Sequence, residues 1–382
     1  MARFNPTVPS LRHRVFLRRL TLGSHHFRSV EDLSQRRQSV EKRLPEHWQQ
    51  HVRAGRSQRS RQEHADAHGR EAAEVIKPAR DELARQAAQG EVVHNDDTSM
   101  RVLRLVRDPS DGRTGVFTSG IVSIGQSRRI ALYFTGVKHA GENLAEVLRQ
   151  RAAELGPAIQ MCDALSRNVP KLGAGVEILL ANCLAHGRRQ FVEVAGSFPE
   201  QCRYVLESLG EVYGYDAEAR DRGLRPEERL KFHQENSGPV MNKLHQWLEG
   251  QFTERKTEPN SSLGKAITYL LRHWKALTLF LRQAGTPLDN NIVERGLKRA
   301  ILHRKNALFY RTLNGAEVGD LFMTLIHTAE LCDASSLDYL TELQRHAAEL
   351  AKHPADWMPW NYRDTIARIA LSHPAQSFDS TV

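Results

Sequence analysis

Short apolar runs separated by polar turn residues characterise the chain between residues 92 and 181. The runs that predict strands are Val92–His94, Val102–Val106, Val116–Ile124, Arg129–Phe134, Ile159–Cys162 and Glu177–Ala181. Asp108–Gly112 and Gly125–Ser127 contain the Pro, Asp, Gly and Ser residues that favour turns between strands. A helix is predicted from about Ala140 to Leu155. Strands that alternate with helices in this way predict a mixed α/β sheet.

Helical spacing of the apolar positions dominates the rest of the chain. Residues 71–89 are rich in Ala, Glu and Arg and predict a helix that leads into the sheet. From about residue 197 to residue 285, apolar positions at helical spacing predict a helical insertion, and two further helices are predicted from Val318 to Leu350. We therefore expect a basic N-terminal arm at 1–90, partly disordered or helical, a domain at 91–365 and a polar tail at 366–382.

Composition limits the class of protein. The chain is 40% hydrophobic and 26% charged, which is ordinary for a soluble globular protein. No apolar run approaches the roughly 18 residues of a membrane span, so no membrane association is expected. The four cysteines are scattered and form neither a paired-cysteine zinc module nor an evident disulfide framework. A reducing cytoplasm is the expected location.

The positive charge is concentrated at the N-terminal end of the chain. Residues 1–80 hold 17 Lys and Arg against 8 Asp and Glu, whereas the other 302 residues hold 37 of each. A basic arm on a neutral body predicts a polyanionic partner, most simply nucleic acid. The alternative is an arm that is disordered and merely soluble. The Arg-rich opening before Glu31 also resembles an organellar transit peptide, an alternative that the bacterial resemblance given below disfavours.

The stretch from Pro287 to Lys305 predicts a helix with a carboxylate in its first turn. Asn291 followed by Glu294 has the spacing of a capping box. The predicted buried stripe consists of Val293, Leu297, Ala300 and Ile301, and the face that carries Glu294 also carries Lys298 and Lys305. Any solvated helix can show such charges through dipole effects and through pairs at i and i+4.

Two further acidic positions accompany Glu294. Asp96 or Asp97 lies in the first strand region, and Asp163 ends a later strand. Carboxylates at strand ends and helix starts of a mixed sheet can converge, and three such oxygens suit Mg²⁺ or Mn²⁺. Two such ions can activate a water or a 3′-hydroxyl for in-line phosphoryl displacement. Spacing alone does not establish that these carboxylates converge.

Several motifs occur in the order found in one known family. They are Asp96-Asp97-Thr98, Asp163, Cys183–Phe191, Asp289–Arg295, Arg304-Lys305-Asn306 and Pro359–Tyr362. On these motifs the run from about Val92 to Tyr362 resembles the transposases of the bacterial insertion-sequence-66 family, which belong to the acidic-triad, ribonuclease-H-like superfamily. The resemblance implies a ribonuclease-H-like catalytic domain with a helical insertion before the third acidic residue. It also implies that Asp96, Asp163 and Glu294 are the catalytic, metal-holding triad.

Some assignments within this resemblance stay open. Asp97 stands where the family commonly has Glu, which leaves a choice between Asp96 and Asp97, with Asp96 favoured. Cys183 and His186 have a Cys-x-x-His spacing, but two ligands do not make a zinc site. The candidate DNA contacts, each with helix capping or dipole complementarity as the alternative, are His186, Arg188, Arg189, Asn290, Asn291, Arg295, Lys298, Arg304 and Lys305.

The predicted function is that of a Mg²⁺- or Mn²⁺-dependent DNA transposase that cleaves and joins strands at element ends. Its expected partners are DNA ends and target DNA, a second copy of the chain in a homo-oligomer, and possible helper proteins of the same element. Family members look as if they carry a cysteine-based zinc module before the catalytic domain, and residues 1–90 hold no cysteine. A truncated, catalytically silent DNA-binding remnant is therefore the alternative, and a general ribonuclease-H-like nuclease is a third possibility.

Overall fold

The computed structural model describes residues 69–105, 112–126, 128–173 and 175–372. The predicted arm up to residue 68 and the predicted tail from residue 373 lie outside them. Residues 69–87 form a helix, α1, as their composition predicts. Ile76 and Leu83 of α1 are fully buried in the same hydrophobic core as the sheet. The last part of the predicted arm therefore packs with the residues that follow it.

A five-stranded mixed sheet lies at the centre of this part of the chain. The strands are β1 (Val92–Ser99), β2 (Val102–Arg104), β3 (Phe117–Gly125), β4 (Arg128–Gly136), β5 (Ala158–Cys162), β6 (Ile178–Asn182) and β7 (Tyr310–Thr312). The order across the main sheet is β4-β3-β1-β5-β6, while β2 and β7 form a separate parallel pair. Strands β1, β3 and β4 pair antiparallel, and β5 and β6 run parallel to β1. The predicted mixed α/β class is confirmed.

The first strand is longer than the sequence predicts. Asn95 to Thr98 do not separate two strands; they continue β1, where Asp96 pairs with Gly120 of β3 and Asp97 pairs with Ser119. β1 is the central strand, and its pairing to β3 and β5 outweighs the low strand propensity of Asn and Asp. Because side chains alternate along a strand, the two aspartates lie on opposite faces of the sheet.

Ten helices follow α1 in the described residues. They are α2 (Ala140–Leu148), α3 (Leu184–Val194), α4 (Pro199–Asp221), α5 (Pro226–Thr253), α6 (Ser262–Leu277), α7 (Asn291–Ala307), α8 (Leu313–Leu331), α9 (Ser336–Arg345), α10 (Ala347–Lys352) and α11 (Tyr362–Ser372). None of these described helices is both long and apolar enough to cross a membrane. Helices α4 to α6 occupy the segment predicted to be a helical insertion, and together with α3 they bury a second core that includes Leu209, Leu244 and Ile267.

Two predicted helices have different bounds in the structure. The helix predicted to reach Leu155 ends at Leu148, ahead of Pro157. Beyond its end, Arg151 donates hydrogen bonds to the carbonyl groups of Ala88 and Gly90 at 2.9 and 2.8 Å. The helix predicted from Leu337 to Leu350 is divided into α9 and α10 at His346.

Different helices cover the two faces of the sheet. On one face, Ser123 donates a hydrogen bond to the carbonyl of Ala87 at the end of α1, and Ser119 accepts one from Asn143 of α2. On the other face, the Tyr133 hydroxyl lies 2.8 Å from Nδ1 of His327 in α8. Helix α7 covers this second face above Gly120, whereas α8 lies along the edge strand β4, where Thr324 and Thr328 hydrogen-bond to the strand backbone. Asp96 shares this second face, and Asp97 shares the first.

Candidate active site

Strand register brings Asp96 and Asp163 together. β1 and β5 run parallel with His94 opposite Met161, and two more residues along each strand place Asp96 beside Asp163. Since residues at the same register in parallel neighbours point to the same face, both carboxylates lie on the face covered by α7. The sequence prediction pairs these two aspartates, and the structure places them side by side.

One amide joins the two carboxylates. Nδ2 of Asn168 donates a hydrogen bond to Oδ1 of Asp96 at 3.1 Å and to Oδ1 of Asp163 at 2.6 Å. Asn168 is fully buried in a short 3₁₀ turn, Ser166–Asn168. Its backbone carbonyl accepts hydrogen bonds from the side-chain amides of Asn95 and Gln160, both at 2.7 Å. The amide is therefore held in place by the strands that carry the two aspartates.

The surroundings of Asp96 disfavour its negative charge. Burial, with a smaller contribution from the nearby Asp163 carboxylate, raises the pKa of Asp96 to about 6, against the hydrogen bonds from the Asp97 N–H and Asn168, which lower it. In the described part of the chain, no Lys, Arg or His forms an ion pair with Asp96 or Asp163. Two neighbouring carboxylates in such surroundings gain stability from a bound cation.

Asp97 lies on the other face and is paired there. Its Oδ2 lies 2.8 Å from Nδ1 of His139, and its Oδ1 lies 3.3 Å from the guanidinium of Arg167. Its carboxylate is therefore bound to side chains on the face opposite Asp163. Of the two candidates for the first acidic position, Asp96 is the one that shares a face with Asp163.

The start of α7 differs from the predicted capping box. The N-cap is Asn290, one residue before the predicted Asn291, and no side-chain hydrogen bond caps the helix. The N–H of Asn291 instead donates to Oδ1 of Asp289 at 3.1 Å. The Glu294 carboxylate is thus not used in a capping box, and it reaches toward His186.

Asn290 ties α7 to the central strand. Its Nδ2 donates to the carbonyl of Asn95 at 3.1 Å, and its Oδ1 lies 3.0 Å from Nδ1 of His94. Burial lowers the pKa of His94 to about 4, against the hydrogen bond with Asn290 that raises it, so this ring is neutral and donates its Nδ1 proton. Asn290 is fully buried, which leaves its side chain in contact with protein groups. We therefore assign Asn290 to positioning α7, the alternative role that the sequence left open.

Glu294 faces the end of β6. Its Oε1 lies 3.8 Å from Nδ1 of His186, and ligand atoms of Cys183, His186 and Glu294 all lie within 4.8 Å of one another. Nδ1 of His186 is buried without a hydrogen-bond partner. Among the described residues, no hydrogen bond or ion pair joins Glu294 to Asp96 or Asp163. The structure thus brings the two aspartates into one hydrogen-bonded group and pairs the glutamate with His186.

The row of the sheet that carries the two aspartates ends at Cys183, and Cys183 lies near Glu294 of α7. Cys162 pairs with Asn182, so the next residue along β6 places Cys183 beside Asp163. On the other side of Asp96 the row continues to Gly120. A Cβ at Gly120 would lie 3.1 to 3.2 Å from side-chain atoms of Leu297 and Val293. The absence of a side chain at Gly120 therefore lets α7, which carries Glu294, pack closely over the row.

Exposed cations lie on α3 and α7, the two helices that carry His186 and Glu294. Five of the predicted DNA contacts are exposed and form no ion pair among the described residues: Arg188, Arg189, Arg295, Lys298 and Lys305. Arg304 differs, because its guanidinium binds Thr98 Oγ1 at 3.2 Å, Ser99 Oγ at 2.8 Å and the Ser99 carbonyl. Arg304 therefore fastens α7 to the end of β1. Asn291 is exposed at the start of α7.

The donor set at Asp96 and Asp163 fits a hard divalent cation. Two carboxylates held by one amide offer oxygen ligands, which Mg²⁺ and Mn²⁺ prefer. Oδ1 of Asn168 is a buried oxygen without a hydrogen-bond partner in the same group. Asp96 and Asp163 are the residues that could hold such an ion here, and Glu294 is a third ligand only in the sequence prediction.

Sequence reasoning missed the supporting residues. Asn168 lies in a turn of ordinary composition, and nothing in its spacing points to a carboxylate partner. His94 looks like one more residue of an apolar strand. Their roles depend on contacts across strands and between β1 and α7, which no local pattern encodes.

Comparison with known proteins gives a consistent result. The model of the transposase IS66 family matches residues 26–318. Uncharacterized protein y4jD of Sinorhizobium fredii (strain NBRC 101917 / NGR234) is 35% identical over 198 residues, which is 50% of this chain and 38% of that protein. Uncharacterized protein y4hP of the same organism is 28% identical over 318 residues, 78% of this chain and 55% of that protein. Uncharacterized protein y4qI, also of that organism, is 29% identical over 202 residues, 52% of this chain and 37% of that protein.

The chain therefore spans about half the length, or less, of the curated relatives that it matches. No solved structure matches it.

Proposed function

Because the chain belongs to the IS66 family of transposases, we propose that it is the catalytic part of a DNA transposase that cleaves and joins strands by metal-dependent phosphoryl transfer at element ends. The proposal rests on one observation above all. Asp96 and Asp163 lie side by side on one face of the sheet, and Asn168 holds both carboxylates.

The strand order supports a ribonuclease-H-like domain. Three antiparallel strands are extended by two parallel strands, with the first acidic residue on the central strand and the second after its parallel neighbour. The third acidic residue follows a helical insertion and lies on α7, which packs against β1 through Asn290. This order of elements agrees with the fold that the family resemblance implies.

Each of the three acidic residues has a role in the proposed reaction. Asp96 and Asp163 hold the ion, and Glu294 turns from His186 to complete the site. When bound, Mg²⁺ or Mn²⁺ activates a water or a 3′-hydroxyl and stabilises the leaving oxygen. Asn168 fixes the orientation of the two aspartates, as outer partners of metal ligands do.

The exposed cations bind the substrate in this proposal. Arg188 and Arg189 follow His186 on α3. Arg295 and Lys298 follow Glu294 on α7, one and four residues later. Their charges are not neutralised by carboxylates of the described residues, so they are available for DNA phosphates. We propose in addition that two ends are joined within a homo-oligomer, with or without helper proteins of the same element.

A cleavage assay tests the proposal. The purified protein is incubated with a duplex that carries the DNA ends flanking its own gene, with Mg²⁺ or Mn²⁺ and with EDTA. We expect strand cleavage that requires the ion and falls by roughly a thousandfold or more in Asp96→Asn, Asp163→Asn and Glu294→Gln, because a metal ion supplies several kcal/mol of charge stabilisation. DNA binding, followed by gel shift, is expected to persist.

Two further Asp→Asn variants, at positions outside the proposed ligand set, control for effects of the substitution on folding. Asp97→Asn changes the neighbouring carboxylate on the opposite face, and Asp338→Asn changes an exposed aspartate on α9. Both are expected to cleave DNA, provided that their melting temperatures show a folded protein. Binding without cleavage by the wild type would instead support a catalytically silent DNA-binding remnant. Cleavage of DNA that lacks the element ends would support a general nuclease.

A further inference from the structure

A second group of ligands lies beside the proposed catalytic aspartates. Cys183 is the N-cap of α3, His186 is in its first turn, and Glu294 approaches from α7. We propose that these three residues bind one borderline-soft cation of the Zn²⁺ type, at a site that shares Glu294 with the hard-ion site. The binding claim does not depend on the proposed function, whereas its effect on catalysis does.

The geometry is close to that of a three-ligand zinc site. Zinc bonds of about 2.0 to 2.3 Å with tetrahedral angles hold ligand atoms about 3.3 to 3.6 Å apart. Nδ1 of His186 and Oε1 of Glu294 are 3.8 Å apart, and all three ligand atoms lie within 4.8 Å of one another. Rotation of the Glu294 side chain, which is 28% exposed, can provide the remaining movement.

Two further contacts favour a ligand here. The buried Nδ1 of His186 has no hydrogen-bond partner and lies on the side of Glu294. Sγ of Cys183 is buried and accepts a hydrogen bond from the N–H of Asn290 at 3.3 Å, as outer partners of a thiolate ligand do. Exposure of Glu294 and His186 leaves access for a water as the fourth ligand.

The types of ligand atom distinguish the group of Cys183, His186 and Glu294 from the neighbouring pair of aspartates. Asp96 and Asp163 offer only oxygen, which Mg²⁺ and Mn²⁺ prefer, whereas thiolate and imidazole select zinc over these ions. Binding converts the Cys183 thiol to a thiolate that bonds the ion, and the thiol proton goes to solvent. Glu294 cannot serve both ions in full, so zinc occupancy would withdraw it from the catalytic group.

Cobalt binding tests the site without any assay of activity. Co²⁺ replaces Zn²⁺ as the probe, and a thiolate ligand gives a near-ultraviolet charge-transfer absorption. All four cysteines of the chain belong to the described residues, so Cys332→Ser, at the end of α8, is the matched control. We expect the absorption in the wild type, in Cys332→Ser and in the double variant Asp96→Asn/Asp163→Asn. We expect its loss in Cys183→Ser and an affinity at least about tenfold lower in His186→Ala.

Several results would overturn the proposal. No thiolate absorption in the wild type, an unchanged absorption in Cys183→Ser, or its loss in Cys332→Ser would each remove the site. Loss in the double aspartate variant would place the ion with the aspartates instead. Should Cys183→Ser fail to fold, His186→Ala decides the question, and an unchanged affinity in that variant contradicts the site.

The consequence for catalysis is measured separately. Zn²⁺ added at a fixed Mg²⁺ concentration is expected to inhibit DNA cleavage in the wild type and to inhibit Cys183→Ser at least about tenfold less. Equal inhibition of both would refute the shared use of Glu294. If the wild type cleaves no DNA at all, the proposed function fails while the cobalt result still decides the metal site.

Discussion

Two aspartates of this protein have opposite electrostatic surroundings. Asp96 in the sheet is partly buried beside a second carboxylate, and its pKa is raised to about 6 by burial and by Asp163. Asp216 in the helical insertion is buried, yet His233 and Arg229 overcome the effect of burial and lower its pKa to about 2. Arg229 binds it at 2.5 and 3.1 Å, and Arg220 lies 3.2 Å away.

The difference in neighbouring charges indicates that Asp96, unlike Asp216, favours a positive partner from outside the protein. The insertion supplies its own cations to Asp216, and His233 is fixed in turn by Ser237 at 2.9 Å. A network whose charges are paired within the protein contributes to stability and has no unpaired charge to bind a ligand. Beside Asp96 the described residues supply an amide and no cation, an arrangement that supports the cation site that we propose. Perturbed carboxylates of this second kind mark functional sites.

The largest effect is expected at the paired aspartate. Asp216→Asn should lower the free energy of unfolding by about 3 kcal/mol, because it leaves the partly buried Arg229 and the buried His233 without a negative partner. Urea denaturation measures the loss, with the exposed Asp221→Asn on the same helix as a control. A loss below about 1 kcal/mol would show that the network is weaker than its contacts imply.

In metal-free protein at neutral pH, Asp96→Asn should raise the free energy of unfolding, whereas Asp216→Asn lowers it. The folded-state pKa of about 6 lies above the ordinary value of 3.8, so protonated Asp96 contributes stability below pH 3.8 that is lost as the pH rises through 6. From acidic to neutral pH, the variant should therefore gain about 2 kcal/mol relative to the wild type. Denaturation in EDTA across this range checks it, and a pH-independent difference would contradict the raised pKa. For Asp216 the contribution is complete above pH 3.8 and is lost only as the pH falls through 2.

Asn168→Ala should loosen the aspartate pair. Outer-shell partners of metal ligands contribute about tenfold to a hundredfold in affinity, and we expect the lower figure because Asn168 binds one oxygen of each carboxylate. Mn²⁺ titration by calorimetry gives the affinity. Ser166→Ala, an exposed position in the same turn, should leave it unchanged. Equal affinities for all three proteins would remove Asn168 from the site.

The smallest effect is expected at the cations. Arg188→Ala should reduce the salt dependence of DNA binding by about one unit of slope, because an exposed, unpaired arginine can displace one counterion. Arg220→Ala should leave the slope unchanged, since Arg220 is paired with Asp216. If both variants change the slope equally, DNA contacts the arginine of α3 and the arginine of the insertion alike, and the proposed DNA-binding surface is wrong.

The sequence predicts the outline of the fold better than the details of the site. Apolar runs locate β3 to β6 and the helical insertion, because burial imposes a period that is visible in one dimension. The extent of β1 is missed, since its apolar run ends at His94 and the Asn and Asp residues that continue the strand have low strand propensity. The choice between Asp96 and Asp97 follows from the strand pairing, because alternation assigns them to opposite faces.

Other residues of the site depend on contacts between distant segments. Glu294 has the spacing of a capping box, yet in the structure it faces His186, more than a hundred residues earlier in the chain. Asn168 and Asn290 carry no motif of their own, and their roles appear only when strands and α7 are assembled. The cationic partners of Asp216 are equally invisible, so the sequence alone cannot separate a paired carboxylate from an unpaired one.

Diffraction from crystals of this protein grown with Mn²⁺ tests the central claim most directly. Anomalous scattering locates the ion without reference to any assay of activity. We predict an anomalous peak between the carboxylates of Asp96 and Asp163 and none beside Asp216. An anomalous map with no peak at Asp96, or with its only peak at Asp216, would contradict the assignment of the cation site to the sheet.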